Sequence, residues 1–518
     1  MRSYRFRWIV CQLEVLINSF PSAIPRALDD LPKSLDETYD RILLGIAEER
    51  QEFARRLFQC LSVSIRPFRV EELAEILAIQ FDAGELPHYD VSWRPENSEE
   101  AVLSACSSLI TIVDVDGARV VQFSHFSVKE YLTSDRLAEA GQRLSQYHIL
   151  LHSAHAILGQ ASLSVLLALD DKIDKNSMKD HPFTIYAARY WVDHARFGNV
   201  SMGIHDAMKR LFDPIRPHLA AWVWIYDVDH PSREIMPTAH PTPPEAAPLY
   251  YAVLCGLRGI VEHLIVTCPQ DVNARGGSDA SPLHAAIIKR NVDLSVLLLE
   301  HGADTTAMNI WGLTPLHEAS MRGRLDIIEL LLDHHTDINI QDSRGYTALT
   351  AASLDGELNA ARILLRRGAS METCGTDGCG PLISASRSGH LDIVRLLLQS
   401  GAPVDHTNNL RQTPLISASG SGHSEIVRLL LQNGAIVDSR DIVGCTPLMM
   451  ASYDGSTGVV QLLLESGAAV DSCDDRCWTP LTLASWGGHL DVVRLLFQRG
   501  ATVDSHRSDR LIASNGTS

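Results

Sequence analysis

Thr314-Pro315-Leu316-His317-Glu318-Ala319 is the stretch that decides the fold of half of this 518-residue chain. Thr is a favoured helix N-cap and Pro is pre-set for the first helical position, so the pair starts a helix. Leu316 and Ala319 then share one helical face, where the small Ala allows close approach. The motif recurs in phase. Its anchors are Pro248, Pro282, Pro315, Ala348, Pro381, Pro414, Pro447 and Pro480, spaced by 34 residues once and by 33 thereafter. Eight residues after most anchors stands a Gly (Gly256, Gly323, Gly356, Gly389, Gly422, Gly455, Gly488), placed to end the helix in a left-handed turn. A second apolar stretch follows, such as Ile393-Val394 with Leu396-Leu397-Leu398, and closes in Gly-Ala at Gly368, Gly401, Gly434, Gly467 and Gly500. The unit is therefore helix, tight turn, helix, extended loop. A fixed period of this length marks a stacked solenoid, which is a surface for contact rather than a seat of chemistry. Arg290 replaces the turn Gly, His335-Thr336 replaces Gly-Ala, and Ala348 replaces an anchor Pro. Looser local packing is expected at these points.

These residues resemble the ankyrin repeat, with the T-P-L-H-x-A signature complete at 314–319 and nearly so at Ser281-Pro282-Leu283-His284-Ala285-Ala286. The resemblance covers eight units over 245–504 and implies that the freely varying positions bind a protein partner through the concave helix face and the finger-like loops. Six residues after the anchor these positions include Arg387, Tyr453 and Trp486. Four residues before it they include Trp311, Arg344, Asp377 and Arg476. Aromatic and Arg side chains are the types that anchor interfaces. The last unit carries Leu495, Leu496 and Phe497 with no polar capping helix after it, and 505–518 is expected to be a disordered tail.

Composition narrows the classes. The net charge is −18, and no Lys/Arg run exceeds two (Arg55-Arg56, Arg366-Arg367), which argues against direct nucleic-acid binding. The most apolar stretch, Ile149 to Leu169, holds His152, His155, Gln160 and several Ser, and reads as a pair of buried helices rather than a membrane span. Gln12 and Glu14 interrupt the apolar run near the N-terminus, which makes a poor signal peptide. The ten Cys are scattered, and Cys374/Cys379 and Cys473/Cys477 lie three repeats apart without clustered His, so no metal or cofactor is expected. Reduced thiols and a cytoplasmic location follow.

The first half has no period. Leu35 to Leu43 and Val70 to Ala78 read as helices. Leu109 to Val113 and Val120 to Phe123 read as a hairpin turning at Asp116-Gly117, and Ser124 to Leu132 as a further helix. The expected layout is a helical remnant at 1–60, a winged-helix-like domain at 61–140 and a helical linker at 141–240. The whole is then mainly α: a helical and winged-helix-like region followed by an ankyrin solenoid. LPKSLDETYDRIL (31–43), RPFRVEELAEILAI (66–79), CSSLITIV (106–113) and VQFSHFSVKEYL (121–132) resemble the region after the nucleotide-binding domain in fungal NACHT-type STAND NTPases. That resemblance implies a vestigial nucleotide-sensing role for His125. It also places a nucleotide module before Leu31, but the sequence holds no phosphate-binding G-x-x-x-x-G-K-[ST] loop. The lipase, zinc-protease and kinase signatures are absent too. His181, His194 and His205 near Trp191 read as packing or surface residues. The expected function is non-enzymatic and regulatory: a scaffold that binds a partner protein. Two alternatives stand: the sensor half of a STAND switch, or a co-regulator acting on transcription through a DNA-binding partner.

Overall fold

The computed structural model describes residues 34–503, apart from 82–86, 107, 170–171, 199, 233–237 and 279. The tail at 505–518 and the first 33 residues of the expected N-terminal remnant lie outside the described residues. The chain forms two compact units that divide between Asp271 and Val272. The sequence places the start of the repeats near 245, and the first of them packs with the N-terminal unit.

That unit opens with α1 (Leu35–Leu44), capped by Ser34, whose hydroxyl accepts the Glu37 N–H at 3.1 Å. Asp36 and Glu37 favour the positive end of its dipole. After α2 (Glu48–Val63), the short β1 (Phe68–Arg69) and α3 (Val70–Leu77) follow. The short pair β2 (Ile79–Gln80) and β3 (His88–Tyr89) and the helix α4 (Ser98–Cys106) lead to β4 (Ile110–Val115) and β5 (Ala118–Phe123). Asp116 and Gly117 both take positive φ, 52° and 78°, the geometry that suits a two-residue hairpin turn. β5 pairs antiparallel with β4 and β1 in the order β1-β5-β4, with Ile110 opposite Phe123 and Phe68 opposite Val121. β5 feeds α5 (Phe126–Leu132). This is a winged-helix arrangement. It begins earlier than 61, because α1 docks on α5: the Tyr39 hydroxyl meets Ser127 Oγ at 2.8 Å, and the Tyr39 and Tyr131 rings lie 5.2 Å apart.

The second layer is built on α6 (Leu151–Ala168), which packs on α2 and on α7 (Thr184–Arg196). The sequence suggests two helices here, and the structure has one. Gly159 does not break it, but clears space for Ile204, whose Cδ1 would stand 3.3 Å from a Cβ at that position. Among the described residues α6 alone has the length and apolarity to cross a membrane; half of it is buried inside this unit, as in a core helix. Beyond it lie α8 (His205–Leu211) and α9 (His218–Ile225). Trp191 and Trp222 meet edge to face at 5.3 Å, and the Trp222 indole N–H donates to the Ala188 carbonyl at 2.8 Å. The first repeat follows as α10 (Pro248–Leu254) and α11 (Arg258–Thr267).

The second unit stacks seven helix pairs: Pro282–Ile288 with Val292–Glu300, Pro315–Met321 with Leu325–Asp333, Ala348–Asp355 with Leu358–Arg366, Pro381–Ser388 with Leu391–Gln399, Pro414–Gly420 with Ser424–Gln432, Pro447–Asp454 with Thr457–Glu465, and Pro480–Trp486 with Leu490–Gln498. Ser281, Thr347, Thr413, Thr446 and Thr479 cap first helices through their hydroxyls, so the helix at Ala348 starts without a Pro. First helices are lined with buried Ala and Ser, such as Ala385-Ser386 and Ala418-Ser419. They pack on one another more closely than the second helices do. The buried His284 and His317 span the joints: their Nε2 atoms bond the Leu313 and Tyr346 carbonyls at 3.1 and 2.8 Å. His390, His423 and His489 tie back to the carbonyls of Leu354, Arg387 and Tyr453 at 2.9, 3.1 and 3.0 Å. In the last pair Leu496 is buried, while Leu490 and Phe497 are exposed.

The left-handed turn persists where Gly is replaced. Arg290 has φ +56° and His335 has φ +60°, both costly for a residue with a Cβ. Arg290→Gly and His335→Gly should therefore each stabilise the array by about 1 kcal/mol. A urea midpoint that falls in either variant would contradict this.

The N-terminal unit should be acid-sensitive. His194 is fully buried, with Nδ1 2.8 Å from His155 Nδ1 and Nε2 3.1 Å from the Tyr186 hydroxyl. Burial first, then the neighbouring His155, push its pKa down to about 3. The unfolded chain then binds the proton that the folded one refuses, so stability is full above about pH 6.5 and is lost as pH falls. Urea unfolding should show a loss of about 2 kcal/mol between pH 7 and pH 5 from this group, and His194→Phe should flatten the dependence.

Candidate functional site

The site is assembled from the loops that precede the first helices. In five repeats the residue six before the anchor is Asn or Asp: Asn309, Asp342, Asn408, Asp441 and Asp474. Its side-chain oxygen accepts two backbone N–H groups, two and four residues on. Asp441 Oδ1 takes those of Val443 and Cys445 at 3.0 and 2.8 Å, and Asp474 Oδ1 takes those of Arg476 and Trp478 at 2.9 and 2.7 Å. Asx side chains mimic a backbone turn in this way. Each loop is thus a closed finger. Neighbouring fingers then pair through the backbone: Ser343 to Gly312, Thr376 to Arg344, Asn409 to Asp377, Ile442 to Leu410 and Asp475 to Val443, at 2.7–3.0 Å. The residues four before each anchor are held in one row by this ladder.

Side chains in that row divide into two kinds. Trp311, Leu410, Val443 and Arg476 are exposed. Arg344 and Asp377 are partly spent on the frame. The Arg344 guanidinium lies over the Tyr346 ring at 5.0 Å and near Asp342 at 3.4 Å. Asp377 accepts the Tyr346 hydroxyl at 2.7 Å and the Cys379 N–H at 2.9 Å, taking over in the repeat that has Gly375 in place of Asx. Ile310 and Ile442 add exposed apolar surface at the tips.

On the first-helix face the structure brings Tyr453 and Trp486 together, stacked at 5.6 Å and 18°, with 49% and 67% of each exposed. Trp478 meets Trp486 edge to face at 6.1 Å. Trp478 was missed in the sequence, although its position varies as freely as the others (Leu313, Tyr346, Cys379, Gln412, Cys445). Arg387 is exposed on the same helix position two repeats earlier, and its Nη2 donates to Cys379 Sγ at 3.3 Å. The result is an aromatic ledge beside a row of apolar fingertips. Exposed apolar surface of this kind marks a contact surface.

The other sequence-derived positions take no part in these contacts. His125 is half-buried in the N-terminal unit and caps α5; its Nδ1 accepts the Ser127 N–H at 3.2 Å and meets Ser127 Oγ at 2.6 Å. Cys374 Sγ stands 3.1 Å from His406 Nε2, and Cys379 is buried. Among the described residues no group of three or more His, Cys, Asp or Glu could hold a metal ion.

Comparison with known proteins agrees with this architecture. Ankyrin repeats, in a three-copy form, match overlapping stretches that run from 249 to 507, half of the chain. The chain belongs to the ankyrin-repeat family. Residues 39–144 match the winged helix domain described for GPI inositol-deacylase, a span that includes the second half of α1 and all of α2. The chain is also similar to the azaphilone pigments biosynthesis cluster protein L of Monascus ruber, at 30% identity over 295 residues. That alignment covers 54% of this chain and 61% of the relative's length.

Frame and surface should separate by mutation within a single finger. Asp441→Ala strands two backbone donors and should cost about 2 kcal/mol in urea unfolding. Val443→Ser, at an exposed tip, should change stability by less than about 0.5 kcal/mol.

Proposed function

We propose that this chain is a non-enzymatic interaction protein that regulates a partner by holding it against the ledge and fingertips of its ankyrin array. The observation that carries the reading is the aromatic ledge itself. Tyr453 and Trp486 are large, stiffened by stacking, and left about half or more exposed on the first-helix face. Enclosing a large apolar side chain contributes about 1.5–3 kcal/mol, so two of them suffice for a hot spot. A cytoplasmic location fits this reading. The relative's printed name supports an accessory place beside biosynthetic enzymes.

A second reading is the sensor half of a STAND-type switch. The observation that favours it is the winged helix at 39–144 with His125 at the start of α5. Under it, ADP would raise the melting temperature of the purified chain and His125→Ala would abolish the rise. The interaction reading predicts no ADP-dependent shift.

The direct test replaces Arg387, Tyr453 and Trp486 together with Ala and compares affinity capture with the wild-type chain. All three are exposed, so the circular-dichroism melt should hold while specific capture is lost. Undiminished capture by a folded triple variant would contradict the proposal.

A further inference from the structure

A second surface lies wholly within the N-terminal unit. A cleft of about 470 Å³ opens where α7 and α8 meet the turn and second helix of the first repeat. Its volume falls in the range of small-molecule sites. Its floor is apolar: Ala195, Met208, Leu257 and Ile260, all buried. Its rim carries Arg196 and Arg258, both exposed, together with Met202, which is 79% exposed, and His205.

The cations are placed differently. Arg196 bonds the Cys255 carbonyl through Nε at 2.7 Å and through Nη2, which fixes the guanidinium at the rim; Nη1 takes no part in that bond. Arg258 pairs with Glu262 at 2.8 Å, an exposed i,i+4 pair of small net worth that an incoming carboxylate or sulfonate could replace at little cost. Gly259 has no side chain where His205 approaches; a Cβ there would stand 3.1 Å from the imidazole. The sequence therefore keeps this joint close on one side while the cleft stays open on the other. Two guanidinium groups over an apolar floor are uncommon company in a chain of net charge −18. Met is the side chain best able to mould itself to a variable apolar body.

We propose that this cleft binds a small amphipathic anion, its charged head between Arg196 and Arg258 and its apolar body against Met202, Met208, Leu257 and Ile260. The site is independent of the partner-binding ledge, and either assignment can fail without the other.

Methyl NMR of the full chain labelled at Met tests it, with decanoate, decanol and inorganic phosphate as separate probes. Decanoate should shift the Met202 and Met208 methyls at least tenfold more tightly than decanol or phosphate. Arg258→Gln, which leaves the apolar floor intact, should weaken decanoate about tenfold. The ledge variant lacking Tyr453 and Trp486 should bind it as the wild type does. Equal binding of decanol would leave only a greasy surface, and equal binding of phosphate only an ion site. Either result, unchanged affinity in Arg258→Gln, or shifts confined to other methionines would overturn the proposal.

Discussion

Successive repeats of the array are tied together by hydrogen bonds that cross from one repeat to the next, at sites that range from buried to exposed. Imidazoles supply some of these bonds: His284 and His317 reach forward to carbonyls of the next repeat, and His390, His423 and His489 reach back. The paired fingers supply others. One such bond is worth only about 1 kcal/mol net, but a stranded donor or acceptor costs more. The constraint therefore fixes spacing more than it adds stability, and it imposes the 33-residue period. Stability in such an array is a sum over repeats and the joints between them.

The same constraint explains the division of labour between positions. Asx residues at the base of five fingers, Ala and Ser on the first helices, and Gly or its left-handed substitutes at the turns are all spent on the frame. Arg344 and Asp377 apart, residues at the fingertips and at the sixth position after the anchor have no such duty. They are free to vary, and several are large and exposed. A frame whose joints are filled by small Ala and Ser while Tyr453 and Trp486 stay open keeps a surface for something else.

Much of this was legible in the sequence, because repetition supplies its own comparison. The helix pairs, the left-handed turns and the hairpin at Asp116-Gly117 stand where periodicity and turn chemistry put them. Side-chain partnership was not legible. Asp377 reads as a free surface carboxylate, yet it closes its own finger because Gly375 cannot. Trp478 lies in a loop, and only the fold shows that the loop ends against Trp486. The attachment of the first repeat to the N-terminal unit was not legible for a related reason. The first repeat has the sequence of an array member, but Arg196 and Tyr250 tie it to the helices before it, through Cys255 and Asp229. Ile149 to Leu169 reads as two helices because its polar residues interrupt the apolar run, whereas the α6 backbone is continuous.

The central claim is that the ledge and the fingertips, rather than the outer helices, face the partner. A photo-crosslinking residue placed singly at Trp486, at Val443 and at Arg428 on a second helix tests it most directly. The account predicts one discrete protein crosslinked from positions 486 and 443, and none from 428. Crosslinks to that protein from 428 alone, or equally from all three positions, would contradict it.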